Sequence, residues 1–141
     1  MASPTQPQRR GEQHRPRWLR VACLLLLFGC GRATRPRLGI VEGVVTLDGK
    51  PLADATVRFT PHGPGRTAQG VTDASGHYAL LYLRDIPGAD VDRHVVRITT
   101  AREEAGGVES LPPRYHRRSQ LEAHVEPGRN RHDFPLESAG P

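Results

Sequence analysis

The chain is 141 residues long, with 20 lysines and arginines against 15 aspartates and glutamates, a net charge of +5. That length suits one ordinary domain and not two. The surplus charge is mostly N-terminal. Residues 1–29 hold Arg9, Arg10, Arg15, Arg17 and Arg20 against Glu12, which leaves 15 basic and 14 acidic residues in the remainder. A nucleic-acid partner needs clustered excess cation on the folded domain, so this balance argues against one.

The first feature in chain order is an apolar run from Val21 to Gly29. A membrane-spanning helix needs roughly 20 apolar residues, so the run is too short to cross. Leu24 to Phe28 are apolar all round, which also fits poorly with an amphipathic surface helix. A basic leader followed by a short apolar core reads as a signal peptide over residues 1–29. The Arg9-Arg10 pair invites a twin-arginine reading, but Gly11-Glu12-Gln13 does not supply the expected apolar residues.

Leu27-Phe28-Gly29-Cys30 resembles the bacterial lipobox. The resemblance implies cleavage before Cys30, a diacylglycerol on its thiol, and membrane lipid as a partner through the acylated cysteine. It places the protein in the bacterial cell envelope, lipid-anchored on the periplasmic or outer surface. Cys23 falls in the leader, so the mature chain is expected to form no disulfide although its compartment permits one. Residues 30–39 read as a flexible basic tether. Arg32, Arg35 and Arg37 in it each add roughly 1 kcal/mol of attraction to anionic headgroups close to the surface.

From Ile40 the sequence switches to period two, the mark of a half-buried strand. Val41, Gly43, Val45 and Leu47 alternate with Glu42, Val44, Thr46 and Asp48. Asp48-Gly49 is a strong hairpin signal. The chain is expected to return through Ala55, Val57 and Phe59, and Pro61 to Arg66 form a loop. A third strand is predicted over Thr67 to Thr72, with a turn at Asp73-Ala74-Ser75-Gly76. The next run, His77 to Leu83, has Tyr78, Leu80 and Tyr82 on one face and Leu81 and Leu83 on the other. Apolar residues on both faces predict a central or partly covered strand. Pro87-Gly88 turns the chain, and His94 to Thr99 follow with Val96 and Ile98 inward. Residues 101–113 form a polar loop. Leu121, Ala123 and Val125 alternate, Pro127-Gly128 turns, and Asp133 to Leu136 close the chain with Phe134 and Leu136 inward.

About seven short strands without a helical pattern predict an all-β fold, an antiparallel β-sandwich of immunoglobulin-like or transthyretin-like type over residues 40–141. The 15 glycines and 13 prolines fall below the ~25–30% share typical of low-complexity chains, so they punctuate a fold.

Three stretches are similar to the carboxypeptidase-regulatory-like, transthyretin-like domain in its single-domain bacterial lipoprotein form. They are VEGVVTLDGKPLADATVRFTP, GVTDASGHYAL, and the segment from PPRYH to HDFPLE. The motifs are the Gly43 to Phe59 hairpin, Thr72-Asp73-x-x-Gly76-x-Tyr78, Pro112-x-x-Tyr115 and Pro127-Gly128-x-Asn130. These are turn-and-core signatures and carry no chemistry. The resemblance implies a non-catalytic binding or structural module at the cell envelope, with an envelope glycan or protein as partner.

Catalytic and metal-binding patterns are not expected. His62, His77, His94, His116, His124 and His132 lack the short-range pairing of zinc sites and read as surface histidines, with no cofactor. His124 and His132 could approach each other only across the Pro127-Gly128 turn. A transthyretin-fold hydrolase would use a His/Arg/His set and a Tyr-Arg-Gly-Ser motif, and the segment Leu136-Glu137-Ser138-Ala139-Gly140-Pro141 lacks it. Ser75 precedes Gly76, but in a turn whose sequence suffices as structure. A carbohydrate or acidic-polymer site would need an exposed aromatic platform, for which Tyr115 and Tyr82 remain. The densest positive cluster surrounds the first of these, so Arg114, Tyr115, His116, Arg117 and Arg118 form the candidate ligand-binding loop.

Overall fold

A computed structural model describes residues 36–102 and 106–138. The signal-peptide segment, Cys30 and the tether up to residue 35 lie outside the described residues. The domain is an all-β sandwich of two six-stranded sheets.

Strict alternation makes the first strand the spine of one sheet. In β1 (Leu38–Leu47), Gly39, Val41, Gly43 and Val45 are buried and the residues between them are half-buried. Taking a valine such as Val41 or Val45 fully out of water contributes about 1.5–3 kcal/mol. Antiparallel partners are β2 (Lys50–Pro51), β5 (His77–Ala79) and β8 (Ala89–Asp90). The C-terminal strands β11 (Gly128–Arg131) and β12 (Phe134–Leu136) lie parallel to β1 in one register, with Gly39 opposite Gly128 and Val45 opposite Phe134. Between them Asp133 Oδ1 accepts the Val44 N–H at 2.9 Å, a side chain filling a gap in the backbone ladder. This sheet is therefore mixed.

The second sheet is antiparallel throughout. Its order is β10 (Leu121–His124), β9 (Arg93–Thr99), β3 (Thr56–Pro61), β4 (Ala68–Val71), β6 (Leu81–Leu83) and β7 (Ile86–Pro87). Val57, Phe59, Val96 and Ile98 point inward and are fully buried. Phe59 sits at the centre, its ring 5.6 Å from that of His94, 5.9 Å from His132 and 6.2 Å from Phe134. Such tilted and edge-on contacts suit the charge distribution of aromatic rings. Tyr78 donates its hydroxyl to the His132 carbonyl at 2.7 Å. Burial pushes that phenol well above its ordinary range, so it stays a donor. Gly43 is required here, because a Cβ would collide with the His132 carbonyl.

Two connections differ from the sequence expectation. Asp48 and Gly49, at φ of 50° and 79°, do form the tight hairpin turn. The returning partner, however, is the two-residue β2, with Leu47 opposite Lys50. The chain then leaves β1, and β3 pairs with β4 and β9 in the other sheet. The predicted strand from His77 to Leu83 likewise divides between the sheets. Leu80 donates its N–H to Val41 in the first sheet, and Leu81 pairs with Gln69 in the second. Alternation carries on through the break. Tyr78 and Leu80 are buried and Tyr82 is half-buried. Leu81 and Leu83 are not covered as predicted: they remain 43% and 40% exposed.

Candidate functional site

The predicted ligand-binding loop is largely structural. Pro112 and Pro113 restrict the backbone and start a single 3-10 turn, Pro113–Tyr115. The turn drives Tyr115 into the core, where it is only 9% exposed, so it is no platform for a sugar. Its hydroxyl accepts the Glu137 N–H at 3.0 Å. Arg114 lies over the Tyr115 ring, 4.9 Å from its centre, and donates to the Glu137 carbonyl at 2.8 Å. His116 Nε2 is 3.1 Å from the Leu111 carbonyl, and since a carbonyl only accepts, that nitrogen carries the proton. Arg114 and Tyr115 thus clamp the end of β12 against the loop, and His116 closes the loop on itself. Only Arg117 and Arg118 of the five point to solvent as exposed residues.

The histidines are placed more variously than expected. His94 is fully buried, its Nε2 2.8 Å from the Asp90 carbonyl, and its Nδ1 has no partner among the described atoms. The surface reading is therefore wrong for His94, because its position in β9 alternates inward with Val96 and Ile98. His132 is half-buried against Phe59. His124 lies exposed on β10 in the second sheet, whereas His132 adjoins β11 in the first. The chain crosses between sheets at Pro127-Gly128, which is why no hairpin brings the two together. Among the described residues no group of three potential ligands is arranged to hold a metal ion. Ser75 gives its hydroxyl to Asp73 Oδ1 at 2.6 Å, and that oxygen also accepts the backbone N–H groups of Ser75 and His77. The bond from Ser75 lowers the Asp73 pKa, so the carboxylate serves the turn.

The surface that remains available is the outer face of the second sheet. Alternation in TVRFTP turns Arg58 outward, and alternation in RHVVRIT does the same for Arg97. Antiparallel register then sets Arg58 directly opposite Arg97. Like charges facing each other across a ladder are destabilising. Among the described residues neither guanidinium has an ion-pair or hydrogen-bond partner. Around Arg97, a hollow of about 350 Å³ is lined by Arg58, Thr99, His116 and Arg117.

On its other side Arg58 borders a larger groove of about 1040 Å³. Val71, Leu81, Leu83 and Tyr82 line it, with Arg66 and Arg84 also at its walls. Val71, Leu81 and Leu83, with Ile86 on the adjacent β7, are 40–45% exposed. The groove exists because the chain changes sheets at Leu80, which brings His77 and Ala79 of β5 beside the outer residues of β4 and β6. Arg58 was not a candidate in the sequence. An outward arginine on a strand ordinarily means a solvated face, and only the register pairs it with Arg97.

Compared with protein-family models, the chain matches none, and it matches no curated protein.

Proposed function

We propose that this chain is a lipid-anchored protein of the bacterial cell envelope whose β-sandwich is a non-catalytic binding module of the transthyretin-like, carboxypeptidase-regulatory-like type. The observation that carries the binding part is the outer face of the second sheet. It combines exposed aliphatic side chains with two arginines, Arg58 and Arg97, that have no ion-pair or hydrogen-bond partner among the described residues. Exposed apolar surface rimmed by polar groups marks interaction sites. The anchoring part rests on the lipobox-like Leu27-Phe28-Gly29-Cys30 and the short apolar run before it. Two acyl chains hold a protein on a bilayer far more firmly than one, and the tether arginines add attraction to anionic headgroups.

Intact-mass measurement on the membrane fraction tests the anchor. The expected mass begins at Cys30 and includes acyl chains. A mass beginning at Met1, recovered from the cytosol, would overturn it. Recognition of an acidic polymer is the second reading. Burial of Tyr115 counts against the Arg114–Arg118 loop as its platform, and the Arg58–Arg97 pair supports the neighbouring sheet face instead.

A further inference from the structure

We infer that the outer face of the second sheet docks a short extended segment of a partner protein, with carboxylates at one end and aliphatic side chains at the other. This inference depends on the binding-module reading and specifies its occupant.

Register lays out the face as a single row. Arg97 is opposite Arg58, Arg58 opposite Gln69, Gln69 opposite Leu81, and Leu81 opposite Pro87. The row therefore passes from two unneutralised guanidiniums, across a neutral amide, to an aliphatic end. Strands lie about 4.8 Å apart, so the step from Arg97 to Leu81 covers roughly 14 Å, the reach of about four extended residues.

Each part of the row selects a chemistry. A guanidinium offers two parallel N–H donors that match one carboxylate, and Arg58 and Arg97 together face whatever enters the hollow they share. A bound carboxylate would also relieve the repulsion between them. At the other end Val71, Leu81, Leu83 and Ile86 are exposed without a cover among the described residues. Gln69 between the two ends can donate to and accept from a peptide backbone.

Charge complementarity asks for an acidic ligand, and the aliphatic half decides its class. Sugar rings pack on flat aromatic faces, and among the described residues Tyr82 is the only Phe, Tyr or Trp lining the groove. Aliphatic protein side chains pack on aliphatic walls. A lipid surface would have to reach residues that line a recess. Among the described residues lining the groove, Asp73 is the one carboxylate and stands against Arg58, Arg66 and Arg84, so the lining keeps a net positive charge.

The test uses the protein as extracted from membranes in detergent, with fluorescence anisotropy of a labelled peptide of two glutamates, a glycine and two leucines. Binding is expected to weaken with salt. It is also expected to weaken about tenfold or more in Arg58→Glu and in Arg97→Glu, since reversing a charge at a complementary contact costs both attraction and specificity. Leu81→Ser should weaken it as well and leave its salt dependence intact. Both arginines are exposed, so these variants fold, and far-ultraviolet circular dichroism confirms that for each. The inference is overturned if the peptide fails to bind, if both charge reversals bind it as wild type, or if a peptide with glutamines in place of glutamates binds equally. It is also overturned if polygalacturonate or phosphatidylglycerol vesicles bind through Arg58 while the peptide does not. That result would leave the binding-module reading standing. The mass at Cys30 is independent of every one of these outcomes.

Discussion

The Tyr115 turn and the Arg58 row both concentrate arginine, and they use it in opposite ways. At the turn, Arg114 stacks on a buried ring and closes on a backbone carbonyl, so its charge and its donors are engaged within the fold. On the sheet face, Arg58 meets Arg97 across the ladder on one side and the neutral Gln69 on the other. The first arrangement holds the C-terminal strand in place. The second adds repulsion to the fold and leaves donors facing outward. Density of positive charge in the sequence therefore does not locate a binding surface here. What distinguishes the two regions is whether the guanidiniums have partners.

Substitutions should separate the regions sharply. Tyr115→Ala removes a buried ring and the acceptor of the Glu137 N–H, and should cost about 3–5 kcal/mol of unfolding free energy in urea titration. A loss below about 1 kcal/mol would mean that the ring is not part of the core. Gly43→Ala should come next, at about 1–3 kcal/mol, because its new Cβ must displace the His132 carbonyl that Tyr78 holds. An unchanged melting temperature would show that β1 and the C-terminal strand pack less closely than described.

Glu109 gives a smaller, pH-dependent effect in the loop after β9. Burial by itself would raise its pKa, but the Thr99 and Thr100 hydroxyls and the Leu111 and Thr100 N–H groups outweigh this and hold it at about 2, against an ordinary 4.5. A carboxylate with a depressed folded pKa stabilises the fold above its unfolded pKa, and that stabilisation is lost as pH falls through the folded value. Glu109→Gln should therefore cost about 1 kcal/mol at neutral pH, a modest figure because the group is partly exposed and screened. The gap from wild type should close between pH 4.5 and about 2. A gap that stays constant over that range would contradict the hydrogen-bonded carboxylate.

Much of the fold was legible because alternation is a local signal. The burial of Val41, Val45, Val57, Phe59, Val96 and Ile98 follows from period two alone. The turns at Asp48-Gly49 and Asp73–Gly76 follow from residue chemistry. The sheet changes were not legible. Tyr78, Leu80 and Tyr82 keep the same alternation on both sides of the crossing, so nothing local marks where one sheet ends. The parallel pairing of β1 with β11 and β12 is a contact between the two ends of the domain, and no turn encodes it. The candidate site failed in sequence for a related reason. Tyr115 lies in PPRYHRR, which has no periodicity to indicate burial, so its neighbours' charge dominated the reading. Arg58 and Arg97 are unremarkable singly and become a pair only through long-range register.

The smallest predicted effect bears most directly on the central claim, that the arginines of the sheet face serve something other than the fold. Arg58→Gln, Arg97→Gln and the double variant form a thermodynamic cycle measured by urea unfolding at low and high salt. The account predicts variants at least as stable as wild type, by a few tenths to about 1 kcal/mol, with a repulsive coupling between the two positions that fades as salt screens it. A favourable coupling, or a double variant less stable than wild type by more than about 1 kcal/mol, would place these arginines among the groups that hold the sandwich together and would contradict the account.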